Sequence, residues 1–353
     1  MEQPQQTEKL PIDLRRIWIP LLISVGVSVY LIWGKLDLNT LQDLQFNQQM
    51  LVGLLLGIVT VSFRDLAYMY RLKTIFGEGM SWWVSLQVIL LWEFGSAVTP
   101  GAVGGIALAL FILRKEGFSY GQSVATIVLT TIMDNLAFVL VFTILFLING
   151  HAMFDVSALC PDLQGHPVLL GLRSISRGAW IVYGVLIAVT AFLIAGLLIS
   201  PVAAQKFFYR LGDAKLLRRF KKNFQILGDD IVITAQVFQN SGFLFWLKIS
   251  FATLVTWISR YLLANSLLYA FNPQPLDHWN IFSRQYVLWT FIMLPSTPGA
   301  SGLAELSFIA LNCEFMPGGL SAAIATVWRL YSYYNYILAG IIVLPKWLNR
   351  VNK

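Results

Sequence analysis

Six ionisable residues lie inside apolar stretches of this sequence, and four of them come from different segments that could converge: Glu93, Asp134, Glu305 and Arg329. The other two, Lys248 and Arg260, lie in the predicted span 242–271, and we expect Lys248, near the start of that span, only to extend to the interface. An ionisable group in a membrane segment is costly and by default marks an ion or substrate pathway. An arginine can bind a phosphate through two parallel hydrogen bonds, whereas a carboxylate can pair with an amine or accept a proton. We expect the four side chains to converge on one polar site. Tyr333 shares the helical face of Arg329, and Glu93 is the candidate coupling acid.

Two related phrases interrupt the apolar sequence near these residues. "TPGAVG" at 99–104 and "TPGASG" at 297–302 share the pattern T-P-G-A-x-G. Proline removes a backbone donor and glycine permits non-helical conformations, so both phrases predict a break in a helix. A helix that starts after the glycines would point its positive N-terminal end at the break, which favours an anion. The candidate binding residues are Thr99, Pro100, Gly101 and Gly104 at the first break and Thr297, Pro298, Gly299 and Gly302 at the second.

Each of these features also has a simpler interpretation. Both phrases can form tight turns in ordinary helical hairpins that pack through small residues. Each ionisable residue can pair with a neighbour and only fix the packing of helices. We favour two re-entrant helices that meet near the middle of the membrane, because unpaired backbone persists there only when protein buries it or it lines a water-filled cavity.

The composition places the chain in a membrane. Of its 353 residues, 57% are hydrophobic and 12% are charged, with a mean hydropathy of +0.67, whereas a soluble domain carries about a quarter charged residues. The net charge of +7 gives no reason to invoke nucleic acid. The two cysteines, Cys160 and Cys313, and the three histidines form no metal or redox motif, so we expect no metal and no cofactor. A disulfide between the two cysteines is the less favoured alternative.

The apolar segments predict an all-α polytopic membrane protein with about eight membrane segments, counting the broken ones. We expect one integral membrane domain over 1–353, in which the first half (17–200) and the second half (242–344) are inverted repeats joined by a basic cytoplasmic loop at 201–241. The inverted relation follows because the two broken segments enter from opposite faces. Continuous spans are predicted at 17–33, 46–63, 178–200, 242–271 and 319–344, a short helix running into a span at 119–148, and interrupted segments at 82–113 and 285–311.

Basic residues predict the orientation, because lysine and arginine accumulate in short cytoplasmic loops. The 201–222 connection carries seven basic residues against one acid, Asp213, so we assign it to the cytoplasm together with both termini. The connections at 35–45, 150–177 and 272–283 then lie outside. We expect a multi-pass protein of the bacterial plasma (inner) membrane. The basic residues of 201–222 serve topology alone, or bind anionic lipid head groups or a lipid-modifying enzyme.

The sequence resembles the transmembrane region of the lysylphosphatidylglycerol synthases, a family of flippase-like integral membrane proteins, over almost its whole length. "LPSTPGASGLAE" at 294–305 is similar to the family pattern P-x-x-P-G-G-x-G-x-x-E. "VWRLYSYYNYILAGIIVLP" at 327–345 is similar to the closing span and places Arg329 on the family's arginine. "TPGAVGG" and "RKEGFSYGQSVATIVLTTIMDNLAF" resemble the first glycine-rich loop and the helix with its acid, here Asp134.

The sequence departs from the family pattern at three places. Ala300 stands at the second glycine of the second-half pattern, and Ala304 stands where an arginine often precedes the glutamate. Ile106 and Ala107 stand where a charged residue often follows the first loop. Head-group specificity therefore does not carry over from the family.

The resemblance implies a lipid flippase or transporter that moves a phospholipid or lipid-linked head group between leaflets. The aminoacyltransferase domain that follows this region in the fused synthases is absent from the sequence, so we do not expect lysyl transfer. Two alternatives remain open: a non-catalytic partner of a separately encoded lipid-modifying synthase or glycosyltransferase, and a membrane enzyme that acts on phospholipid. Against the enzyme, the sequence offers no intramembrane histidine, no metal-spaced carboxylates and no nucleophile–base pair.

Overall fold

The computed structural model describes residues 46–99, 103–154, 175–214, 218, 221–293 and 299–351, together with Leu22 and Gly26. The predicted span at 17–33 lies outside the described residues except for those two. The described residues form α-helices joined by short 3₁₀ and π turns, and they contain no strand. In chain order the helices are α1 (Gln48–Phe76), α2 (Trp82–Val98), α3 (Val103–Lys115), α4 (Tyr120–Asn149), α5 (Ile175–Ile194), α6 (Pro201–Asp213), α7 (Lys221–Gln239), α8 (Phe243–Phe271), α9 (His278–Ile292), α10 (Leu303–Asn312), α11 (Ser321–Arg329) and α12 (Asn335–Val351).

Four described helical segments are long and apolar enough to cross a membrane. They are Gln48–Gly79, Tyr120–Phe154, Arg177–Ile194 and Phe243–Phe271, which contain all or most of α1, α4, α5 and α8. Helix α2 is apolar but shorter. The protein is therefore an all-α polytopic membrane protein, as the composition predicts.

Helices α1 and α8 form an antiparallel pair that runs the length of both. At one end the side-chain amide of Gln49 donates to the backbone oxygens of Tyr269 and Asn272, at 2.7 Å each. Farther along α1, a guanidinium nitrogen of Arg71 lies 3.1 Å from the hydroxyl of Thr253. This pair is the scaffold on which the polar residues described below are arranged.

The first phrase ends a helix, as predicted. Helix α2 stops at Val98 and α3 begins at Val103, with residues 100–102 outside the described set. With 17 and 13 residues, the two helices are about 25 and 20 Å long, and each is shorter than the hydrocarbon core of about 30 Å. Their ends pack closely, because a Cβ atom on Gly104 would lie 2.1 Å from the hydroxyl of Thr99.

The second phrase also separates two short helices. Helix α9 stops at Ile292 and α10 begins at Leu303, with residues 294–298 outside the described set. Their 15 and 10 residues correspond to about 22 and 15 Å. Gly302 precedes α10 with a φ of 88°, a left-handed conformation that favours glycine. Ala300 adopts a φ of 52° and is the only described non-glycine residue at positive φ.

The two broken segments belong to different hydrophobic cores. Helices α2 and α3 pack with the end of α1 and with α12 around Phe94, Leu108 and Trp347. Helices α9 and α10 pack with α4, α5, α8 and α11 around Phe138 and Phe308. The space between these cores is therefore enclosed by both halves of the chain.

Two predicted segments differ in the structure. The span predicted at 319–344 is divided by a π turn at Leu330–Tyr334, which separates α11 from α12. The segment at 119–148, predicted as a short helix followed by a span, is one continuous helix, α4. Ser119 and Gln122 form a capping box at its start, so the polar first turns extend the span without interruption.

The stretch predicted as a loop at 201–241 contains two helices, α6 and α7, that pack against each other. Asp229 of α7 accepts hydrogen bonds from the hydroxyl of Tyr209, at 2.5 Å, and from the side-chain amide of Gln205, at 2.7 Å. These bonds hold the pKa of the Asp229 carboxyl below its usual range. The segment forms helices because its amphipathic pattern, rather than its high charge, decides its local structure. Its role as the cytoplasmic connection between the two halves stays a prediction.

Cys313, in the turn after α10, is disulfide-bonded. The other cysteine of the chain, Cys160, lies outside the described residues, so the pairing of the two cysteines stays an alternative.

The close packing of α1 against α8 can be tested by adding a methyl group at their contact. A Cβ atom on Gly53 would lie 2.5 Å from the Cβ and 2.6 Å from the Cα of Ala270, and a backbone atom cannot move away cheaply. We expect Gly53→Ala to lower the free energy of unfolding in detergent by about 1–3 kcal/mol. Gly184→Ala in α5 is the matched control, because no atom lies within 4 Å of its added methyl group. Equal stability of the two variants would contradict the close contact.

Candidate functional site

A cavity of about 330 Å³ lies between the two hydrophobic cores. Its walls come from α1, α2, α8 and α9, from the second break, and from α11 with the π turn that follows it. Most of the lining is apolar or aromatic, which is typical of ligand sites with a few convergent polar groups. The ionisable side chains in the lining are Arg64, Glu93, Arg260 and Arg329, together with three tyrosines.

Glu93 joins two of these arginines. Its carboxylate forms an ion pair with Arg64 of α1 and a second with Arg260 of α8, at 3.2 Å. The Arg64 guanidinium also donates to the hydroxyl of Tyr336, at 2.6 Å, and that hydroxyl lies 2.9 Å from Asp65. One carboxylate therefore serves two guanidinium groups, and Asp65 lies beside the first of them.

Glu305 and Arg329 form the second ionic contact at the cavity. The Glu305 carboxylate is 1% exposed and accepts from the Nε of Arg329, at 2.8 Å, and from the backbone amide of Gly302, at 2.7 Å. A terminal nitrogen of Arg329 donates to the backbone oxygen of Gly299, at 2.7 Å. The pair therefore fixes the backbone of the second break against α11.

Tyr333 connects the two breaks. Its hydroxyl donates to the backbone oxygen of Ala97, at 3.1 Å, at the end of α2. Its ring lies against Gly299, where an added Cβ atom would approach the ring to 2.1 Å. Arg329 stacks over the same ring at 4.4 Å from its centroid. One aromatic side chain thus contacts the helix that ends at the first phrase and the backbone of the second.

Asp134 does not belong to this cavity. Its carboxylate forms a bidentate contact with Arg71, at 2.6 and 3.1 Å, and accepts from the indole of Trp257, at 2.9 Å. The expectation that all four ionisable residues converge is therefore wrong for Asp134. Arg71 lies about two turns beyond Arg64 on α1, and its ion pair with Asp134 holds the acid away from the cavity.

The other predicted residues divide into three groups. Glu93, Gly299, Arg329 and Tyr333 line the cavity, and Glu305 and Gly302 lie directly behind its wall. Thr99 and Gly104 pack against each other, and Ser96 and Ala97 of α2 line the cavity instead. The remaining residues lie outside the described set: Pro100, Gly101, Thr297 and Pro298.

Sequence reasoning gave too little weight to Arg64 and Arg260. Arg64 follows the predicted span 46–63 by one residue, so the sequence places it at the end of the span and not in its interior. Helix α1 continues to Phe76 and buries it. The sequence does contain a signal for the burial of Arg64. It is followed directly by Asp65, the two lie between apolar residues, and a pair of opposite charges can be buried together.

The arrangement is suited to binding an anion. Three arginines but only one carboxylate line the cavity, and guanidinium groups bind phosphate and carboxylate with matched geometry. Among the described residues, no group of three or more histidine, cysteine, aspartate or glutamate side chains could hold a metal ion. The cavity therefore offers binding through charge and hydrogen bonds within an apolar wall.

Comparison with known proteins places similar proteins in one described group of membrane proteins. A family model described as "Lysylphosphatidylglycerol synthase TM region" matches residues 17–340. A "UPF0104 membrane protein" of Archaeoglobus fulgidus is 24% identical over 284 residues, which cover 78% of this chain and 79% of that protein. No solved structure matches the chain.

The buried pair of Glu305 and Arg329 gives a second test. We expect Glu305→Gln and Arg329→Gln each to lower the free energy of unfolding by about 3–5 kcal/mol, because either leaves an uncompensated buried charge. The double variant should lose clearly less than the sum of the two. The exposed pair of Lys221 and Asp213, at 2.7 Å, is the control and should show a coupling of about 1 kcal/mol or less. Additive losses at Glu305 and Arg329 would contradict the pairing.

Proposed function

The chain belongs to the family of the lysylphosphatidylglycerol synthase transmembrane region, and we propose that it is a lipid flippase that moves a phospholipid or a lipid-linked head group between leaflets. The observation that carries the proposal is the cavity between the two hydrophobic cores, with three arginines in its wall. A charged head group needs such a polar, protein-enclosed space to cross the hydrocarbon region, where charge is otherwise costly.

In the proposed binding mode, Arg260 and Arg329 meet the phosphate of the head group. Arg260 is the more accessible of the two, with 29% of its side chain exposed, and it is held by Glu93 and by the hydroxyl of Tyr68 at 3.3 Å. Arg329 is fixed by Glu305 and Gly299 and so presents its guanidinium in one orientation. Preorganised donors of this kind lose little conformational entropy on binding.

We propose that Glu93 changes its ion-pair partner when a ligand binds. A phosphate that binds Arg260 competes with Glu93 for the same guanidinium, so the carboxylate is released to Arg64 or becomes able to accept a proton or a head-group amine. This exchange replaces one charge pair with another and avoids leaving a bare charge in the cavity. It is the basis on which we assign Glu93 as the candidate coupling acid.

Transport in this proposal is a movement of the two halves of the chain against each other. The breaks after α2 and after α9 are treated as re-entrant elements of an inverted repeat that approach from opposite faces. Tyr333 contacts both, so its hydrogen bond to Ala97 is the contact that must change when the cavity opens. We place the protein in the bacterial plasma (inner) membrane with both termini in the cytoplasm, because the basic residues of the 201–222 connection favour the cytoplasmic side.

The test is head-group translocation in proteoliposomes that contain fluorescent phosphatidylglycerol, phosphatidylethanolamine or phosphatidylcholine. We expect the wild type to equilibrate at least one of these lipids between leaflets faster than protein-free vesicles do. Arg260→Gln should lower the rate about tenfold or more, because it removes a charged hydrogen-bond donor from the cavity. Arg260→Lys should retain part of the rate, since it keeps the charge.

Lys346→Gln is the matched control, because it removes one exposed basic charge that does not line the cavity. Its rate should equal that of the wild type, and all variants should show the same unfolding temperature within a few degrees. Wild-type rates no faster than those of empty vesicles for every head group would reject the flippase. That outcome would favour the non-catalytic partner of a lipid-modifying enzyme instead.

A further inference from the structure

A second concave site lies at the end of the α1–α8 pair that is remote from Gln49. It is an open groove of about 450 Å³ between the last turns of α1, the start of α2 and the first turns of α8. Its wall is mostly apolar and aromatic, with Tyr70, Trp82, Leu244 and Phe245. Its ionisable side chains are Lys73, Glu78 and Lys248.

The position of the groove is the membrane–water interface. Helix α1 has 29 residues and a length of about 43 Å, so it extends beyond a hydrocarbon core of about 30 Å. The groove lies where α1 ends and α8 begins. Large apolar side chains around it are exposed, among them Trp82 at 49% and Trp83 at 62%. Tryptophan is enriched at this depth of a membrane protein.

The two lysines are available to a ligand. The ammonium group of Lys73 donates to the backbone oxygen of Met80, at 2.9 Å, and lies 5.6 Å from the ring centroid of Trp82. It retains two further donors, because an ammonium group has three. Lys248 is exposed and forms no ion pair with any residue that the structure describes. Glu78 is the single acid in the lining, so the groove is net positive.

We propose that this groove binds an anionic phospholipid of the adjacent leaflet, with its phosphate between Lys73 and Lys248 and an acyl chain along Leu244 and Phe245. The positive charge of Lys73 and Lys248 favours the binding of an anion. Each basic residue near a membrane surface contributes about 1 kcal/mol to binding an anionic lipid. The exposed apolar wall selects a lipid over a soluble anion, because a free phosphate would leave that wall in contact with hydrocarbon or water and gain nothing from it.

The groove is separate from the cavity of the proposed flippase. The two linings share no residue. On α1 the cavity is lined by Val61 and Arg64, whereas the groove is lined by residues from Tyr70 onward. Lipid binding at the groove therefore goes beyond the proposed function, and the two can succeed or fail independently.

The experiment is native mass spectrometry of the protein in detergent micelles that contain equal amounts of phosphatidylglycerol and phosphatidylcholine. We expect the wild type to retain phosphatidylglycerol selectively. Lys73→Gln and Lys248→Gln should each lower that selectivity about fivefold, and the double variant should lower it further. Arg114→Gln with Lys346→Gln is the matched control, because it removes the same charge from exposed positions outside the groove and outside the 201–222 connection.

Two outcomes would overturn the proposal. One is unchanged selectivity in the double groove variant while the protein remains folded by its unfolding temperature. The other is displacement of phosphatidylglycerol by millimolar inorganic phosphate, which would identify the ligand as a soluble anion. The localisation is checked with brominated phosphatidylglycerol, which should quench Trp82 fluorescence, measured as the difference between the wild type and Trp82→Phe. Equal quenching in the wild type and in Trp82→Phe would also contradict lipid binding in the groove.

Discussion

Buried positive charge must be compensated within a few ångströms, and this constraint organises the centre of the protein. Arg64, Arg71 and Arg329 are almost completely buried, and each reaches a carboxylate on another part of the chain. These contacts join α1 to α2, α1 to α4, and α11 to α10. The cost of an unpaired charge at these positions exceeds the gain from most apolar contacts, so the helices that carry the partners have little freedom to pack elsewhere.

The same constraint explains why the broken segments are stable. In the described part of the second break two backbone groups have side-chain partners, since Glu305 accepts from the amide of Gly302 and Arg329 donates to the oxygen of Gly299. A membrane interior supplies no water for these groups. The ion pair between Glu305 and Arg329 therefore serves two purposes, because each partner also satisfies one backbone group at the break.

Much of the architecture can be predicted from the sequence, and the part that cannot has physical reasons. The all-α membrane class follows from hydropathy, and the ends of α2 and α9 follow from proline and glycine. The partner of Asp134 could not be predicted, because Arg71 is 63 residues away in the chain and only the packing of α1 against α4 brings them together. The burial of Arg64 was not predicted, because the predicted span ends at residue 63 whereas the helix continues to Phe76. The amphipathic pattern of 201–239 indicates helices, but the high charge of the segment favoured the interpretation as a loop.

The π turn at Leu330–Tyr334 has a consequence for the evolution of the chain. A π turn holds one more residue than the corresponding α-helical turn, and such turns are frequent at functional sites. If the same residues formed a regular α-helix, the extra residue would rotate everything after it by about 100°. Tyr336 would then turn away from Arg64, and Gly340 would turn away from the ring of Phe94, against which it now packs. Substitutions that favour a regular helix over this wider turn should therefore be selected against, even where they leave every contact residue unchanged.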